Sequence, residues 1–381
     1  MANNKVVLSN GATLIDLTGD TVTAQSLLQG FTAHDKAGNS ITGAADFTGS
    51  PPCLAFLSPT DFTLATANST KNWDGTLYYS TDENSWAEWN GTAALNSANG
   101  KLYLRGTGNT KITGVAGSYN ESWELTGSNI FCVGNIEVLL DYATVANGGH
   151  PAMADSCFEQ LFHHCTALTK APDFYATALS KRCCRSMFNG CTGLISAPEL
   201  SATTLAKDCY YNMFYGCTGL IFAPVLPATS LEENCYQGMF SSCTGLISAP
   251  VLPATTMAKG CYEYMFSSCT SLQTPPELPA TALAGACYYQ MFSGCTGLTK
   301  LPELPATTLS GTCYYRMFKG CTNIKLSETQ TGEYQTAYRM PPSGTGTTAA
   351  NSFKEMFDNT GGTFTGTPII NTTYYTTAQP V

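Results

Sequence analysis

The chain has 381 residues, enough for two or three domains with sizeable cores. Its charged fraction is 12% and its net charge −9, against about 25% charged in an average protein. Nucleic-acid binding draws on clustered Lys and Arg; no such cluster occurs, so no nucleic-acid partner is expected. No run reaches the roughly 18 apolar residues of a membrane span, so membrane insertion is not expected. Met1–Asn10 lacks the apolar core of a secretory signal. The expected compartment of synthesis is a reducing cytoplasm, where disulfides rarely persist.

Residues 1–50 form a first module. Within it, Thr23 is placed to cap a short helix ended by Gly30, and Lys36-Ala-Gly38-Asn39 reads as a turn between two strands. The run Asn10-Gly-Ala-Thr-Leu through Ser40-Ile-Thr-Gly43 is similar to short modules in tail-associated structural proteins of bacteriophages. That resemblance implies attachment to other virion proteins through residues 1–50, in a particle assembled in the host cytoplasm.

Residues 51–134 contain all four tryptophans, Trp73, Trp86, Trp89 and Trp123. Strands are predicted at 75–80, 86–89, 100–105, 109–113 and 122–126, among Asn-Gly, Asp-Gly and Gly-Ser turns, the pattern of a small β-sandwich or barrel. Trp86 and Trp89 are candidates for stacking on sugars; ordinary core packing is the competing reading. In 135–156, Asn135–Tyr142 reads as an amphipathic helix with an Asn cap, covering the first coil of the repeats that begin at Cys157.

Residues 157–325 repeat. Cys157, Cys183, Cys209, Cys235, Cys261, Cys287 and Cys313 are spaced by 26, as are Cys165, Cys191, Cys217, Cys243, Cys269, Cys295 and Cys321. Leu205, Cys209 and Met213 recur every four residues, one stripe of a short helix capped by Thr203 or Thr204 and stopped at Gly216. Leu220–Pro227 must be extended because of its two prolines, with Leu220, Ala223 and Leu226 facing inward. Such a unit cannot bury its own stripe, but stacked copies can. The cysteines then form columns of buried free thiols. Vicinal Cys183-Cys184 reads as a substitution in an aromatic column. Residues 326–381 carry a worn eighth copy from Ser352 and should close the far end.

The repeat core Met-Phe-x-Gly-Cys-Thr-x-Leu resembles the leucine-rich repeats of the BspA-like surface-protein family over roughly 155–365. The resemblance implies adhesion or protein recognition. The expected fold class is thus α+β, a leucine-rich-repeat solenoid of helix-plus-strand units behind a small β-sandwich-like domain and the N-terminal module.

Catalytic and metal chemistry find little support. His34, His150, His163 and His164 lack a paired motif, and Cys157, His163, His164 and Cys165 lack the ligand pairs of structural zinc. Buried thiols are inert; no cofactor and no enzyme activity are expected. Positions that vary inside the fixed frame are the binding candidates: Ile195, Glu199, Ile221, Phe222, Val225, Ile247, Val251, Gln273, Thr299 and Lys300, apolar at the centre with a polar rim. Tyr211, Tyr289 and Tyr315 mark a second, Tyr-rich ribbon. The function expected is a phage virion protein (tail, baseplate or fibre), as a homo-oligomer, binding a host surface protein or glycan through the solenoid. The alternatives are a BspA-like bacterial surface adhesin and a decoration protein without a receptor.

Overall fold

The computed structural model describes residues 52–113, 121–341 and 351–381, with four short strands before residue 51. It divides into two compact units, Met1–Pro51 and Pro52–Val381. In the first, β1 (Lys5–Val7) pairs antiparallel with β2 (Thr13–Asp16), and β3 (Thr32–His34) with β4 (Ser40–Thr42). The strands expected to flank the 36–39 turn are therefore present. The turn, the 23–30 helix and the His34 side chain lie outside the described residues, as does any attachment surface.

The second unit begins with β5 (Leu54–Leu57), β6 (Thr63–Thr66), β7 (Thr76–Ser80), β8 (Ala87–Trp89), β9 (Leu95–Asn96), β10 (Lys101–Thr107), β11 (Trp123–Thr126) and β12 (Ile130–Val133). Together with β13 (Leu168–Lys170), they form a six-stranded sheet β13-β12-β5-β10-β7-β8 and a three-stranded sheet β11-β6-β9. Phe56 of one sheet and Trp123 of the other meet at 6.5 Å. The strand expected at 109–113 does not form. Asn109 instead accepts from Gly75 N at 2.6 Å and donates to Thr76 O and Leu139 O, while Asp74 accepts from Thr110 N and Lys111 N. Side-chain bonds to the backbone have replaced a ladder there.

One α-helix is described, α1 (Val138–Ala146). Asn135 Oδ1 accepts from Glu137 N at 3.0 Å ahead of it, and Asp141 is extended, breaking it into two short turns. α1 packs against β10, where the bare Gly106 admits the Leu139 carbonyl. Strands meet the first copy: Trp123 N donates to Leu161 O at 2.7 Å, and β12 pairs parallel with β13. A continuous hydrophobic core consequently runs from Leu54 through the repeats to Tyr374.

The half-repeat expected to be helical is not a helix. In the copy around Cys209, Cys209, Tyr211, Met213, Tyr215 and Cys217 donate their N–H three residues back, closing successive turns. The alternate residues Asp208, Tyr210, Asn212, Phe214 and Gly216 donate to Glu233, Cys235, Gln237, Met239 and Ser241 of the next copy at 2.8–3.0 Å. Every fourth residue has positive φ: Asp208 at 57°, Asn212 at 51° and Gly216 at 70°. A helix would spend all its N–H groups within the segment. Here half of them join one copy to the next, which offsets the ~1–2 kcal/mol that the left-handed region costs a non-glycine residue.

Side chains follow the same register. Phe162, Phe188, Phe214, Phe240, Phe266, Phe292, Phe318 and Phe357 stack in one column with centroids 5.5–5.7 Å apart. Tyr210, Tyr236, Tyr262, Tyr288, Tyr314 and Phe353 form another. Beside them the thiols of Cys191, Cys217, Cys243, Cys269, Cys295 and Cys321 donate to the Phe carbonyl 29 residues earlier at 2.9–3.0 Å. Cysteine suits this column because it is small and apolar yet still carries a donor.

The worn eighth copy is hydrogen-bonded to the seventh. Ser352 O, Lys354 O, Met356 O and Asp358 O accept from Tyr314, Arg316, Phe318 and Gly320. The inserted residues supply β15 (Thr336–Arg339), which with β14 (Leu326–Ser327) flanks β16 (Thr373–Thr376) in a small sheet.

Candidate functional site

The proline-containing half of each copy builds one face. Successive copies are joined by parallel bridges, Lys170 to Ser196, Ser196 to Phe222 and Phe222 to Ser248. Ile195, Ile221 and Ile247 N–H donate to the carbonyl one copy earlier at 3.1–3.2 Å, as does Thr299 to Gln273 O. Within a copy, Leu220, Pro224 and Leu226 are buried and Ala223 half-buried, so the inward set is as expected.

The residues between them point out. Phe222 is 57% exposed, Val225 76% and Val251 77%, and Ile195 and Ile247 are also exposed. Ile221 is half-buried. Glu199, Gln273 and Thr299 are exposed and Lys300 half-buried. Full burial of a Val or Phe side chain is worth roughly 1.5–3 kcal/mol; these side chains forgo most of that gain. The apolar positions fall in adjoining copies, with polar residues on either side.

The Tyr ribbon is partly self-contained. Arg185 lies over Tyr211 at 5.1 Å, Tyr289 stacks on Tyr315 at 4.9 Å, and Arg316 covers Tyr315 at 4.8 Å. Tyr264, from the neighbouring column, meets Tyr289 edge-on at 5.3 Å. Sequence reasoning missed it because its position elsewhere holds Ser, Asn, Gly, Gln or Arg.

Trp89 is corrected from candidate sugar platform to core. It pairs with Leu77 across the β7–β8 register, both buried. Its ring lies 4.9 Å from Trp73 and 5.6 Å from Trp123, and Nε1 donates to Ala93 O. Trp86 is half-buried, with the Arg105 guanidinium 3.9 Å over its ring. Arg105 also lies 4.6 Å from the Tyr142 ring, so one face of Trp86 is already covered.

His150 Nδ1 lies 2.9 Å from Oε1 of the fully buried Glu137. His163 and His164 pack edge-on at 4.1 Å, and burial, aided by His164, holds His163 below the usual imidazole range. Among the described residues no group of three or more His, Cys, Asp or Glu is placed to hold a metal ion, and no helix is long and apolar enough to cross a membrane. All the cysteines are free, and only Cys53 is not buried. Burial pushes thiols up, Cys217 and Cys295 to about 12. Cys183 and Cys184 have sulfurs 3.7 Å apart. Burial raises Cys184; it acts in the same sense on Cys183, where hydrogen bonds from Cys157 and Cys184 oppose it.

No known protein family, curated protein or solved structure matches the chain.

Proposed function

We propose that the chain is a bacteriophage virion protein of the tail, baseplate or fibre, and that its repeats engage the host surface. The stacked copies are read as a leucine-rich-repeat-type solenoid whose strand half is kept and whose helix half is replaced by turns. The strands of 52–134 are read as a sandwich-like domain continuous with it. The observation that carries the binding role is the outward apolar column Phe222, Val225, Ile247 and Val251, set among hydrogen-bonded copies. Side chains so exposed add little to the core, and repetition presents them at regular intervals, as recognition by repeat proteins requires.

The test is immunogold imaging of purified particles with an antibody against the repeats, followed by adsorption of the purified chain to host cells. Tail-tip or fibre labelling is the expected result. Labelling across the capsid would favour a decoration protein. Labelling of a bacterial envelope and of no particle would overturn the virion reading in favour of a surface adhesin.

A further inference from the structure

The exposed face changes character along its length, and this change names a ligand class. Beyond Ile247 the column passes to Gln273 and Thr299, and the surface opens into a shallow concavity of about 460 Å³. Ligand sites typically enclose roughly 300–1,000 Å³. Thr270, Ser271, Gln273, Thr299 and Asn323 line it with neutral polar side chains, and Ile247 forms an apolar wall. No charged side chain lines it. Among the described residues, none of the five polar side chains makes a hydrogen bond within the protein.

Three hydroxyls and two amides can each donate and accept. An ionic ligand would lose its water here without gaining a countercharge. An apolar peptide side chain would leave the polar groups unpaired, at ~1–3 kcal/mol for each one fully buried. A ligand that fits must be uncharged and dense in hydroxyls, with some C–H surface for Ile247. Phe222, an exposed ring one copy earlier, is bridged through its backbone to Ser248, which follows Ile247 in the chain. Aromatic rings offer a flat apolar surface to the C–H face of a sugar.

We infer that this concavity is a subsite for a neutral saccharide, with Gln273 and Asn323 as its orienting amides and Phe222 as an adjacent stacking platform. The inference rests on the repeat face being a binding surface and specifies what that surface reads. A polysaccharide of identical units suits a stack of near-identical copies, because like groups recur along both.

The full chain is titrated calorimetrically with maltohexaose, cellohexaose, laminarihexaose and α-mannohexaose, with oligogalacturonate as the charged control. At least one neutral hexamer should bind and oligogalacturonate should not. Gln273→Ala and Asn323→Ala should each weaken that binding about threefold to tenfold, the worth of one hydrogen bond, with unchanged melting temperature. Lys101→Ala, exposed at the start of β10 and away from the repeats, should leave it unchanged. Absence of binding by all four neutral hexamers, or binding indifferent to both amide variants, would overturn the inference. Host-cell adsorption separates this failure from that of the wider reading. Adsorption lost in Val225→Asp/Val251→Asp but untouched by the amide variants would overturn the saccharide subsite and leave the binding face, with a protein as its partner. Adsorption unaffected by either set would overturn both.

Discussion

Three residues separate Trp86 from Trp89, and their surroundings differ: one lies half-exposed under Arg105, the other in the core between Trp73 and Trp123. Twenty-six residues separate Phe214 from Phe240, and their surroundings are the same, each stacked between like rings at 5.6–5.7 Å. In the strands of 52–134 a residue's place is set by pairings with no period. In the repeats it is set by its position in the unit, so one copy instructs about all. The two regions share one core but differ in how much a single substitution should disturb.

The largest expected effect uses the thiols, which are concentrated in the repeats. Burial raises Cys165, Cys191, Cys217, Cys243, Cys269, Cys295 and Cys321 above the ordinary thiol range. A group raised on folding contributes stability that is complete below its unfolded pKa, about 8.5 for Cys, and is lost as pH climbs towards the folded value. Each such thiol costs ~1.4 kcal/mol per pH unit. Seven together cost on the order of 10 kcal/mol per unit, comparable to a whole protein's stability. Circular dichroism against pH should show unfolding within about one or two units above 8.5. Stability holding flat to pH 11 would contradict the buried columns. Tryptophan fluorescence reports the strand region alone, so coincident curves would demonstrate that the two regions unfold together.

Substitutions sharpen the contrast next. Phe240→Ala and Trp89→Ala should each cost about 3–5 kcal/mol in denaturant melts. Trp86→Ala should cost about 1 kcal/mol, the scale of an exposed cation–π contact. An equal loss at Trp86 and Trp89 would reverse the assignment of core and surface. Smaller still, Cys243→Val removes the thiol donor from Phe214 O, which keeps its bond from Cys217 N–H, and should cost about 0.5–1.5 kcal/mol. Cys235→Val in the other column should cost less, its thiol having no such acceptor among the described residues.

Much of this was legible beforehand, for a physical reason. The period exposed the columns, and the prolines forced the extended half, so the buried cysteines and the outward Phe222, Val225 and Val251 followed. The turn half was misread because a spacing of four in Leu205, Cys209 and Met213 suits both a helix stripe and consecutive four-residue turns. The distinguishing signal lay one residue earlier, at Asp208, Asn212 and Gly216, and again at Asn234, Gly238 and Ser242. Gly and Asn tolerate positive φ best, and such residues recur every fourth place. The concavity beside Gln273 could not be read from one copy, because it arises from differences between copies. Nor could Trp89 be told from Trp86 without the β7–β8 register.

The smallest expected change in stability accompanies the largest expected change in binding, and that pairing tests the binding role of the repeat face most directly. Val225→Asp/Val251→Asp alters two exposed side chains and should shift stability by no more than about 1 kcal/mol. The measurement is adsorption of this folded variant to host cells beside the parent chain. At least a tenfold loss of adsorption is expected, with an unchanged melting temperature. Undiminished adsorption by the folded variant would contradict that role and free the apolar column of any part in binding.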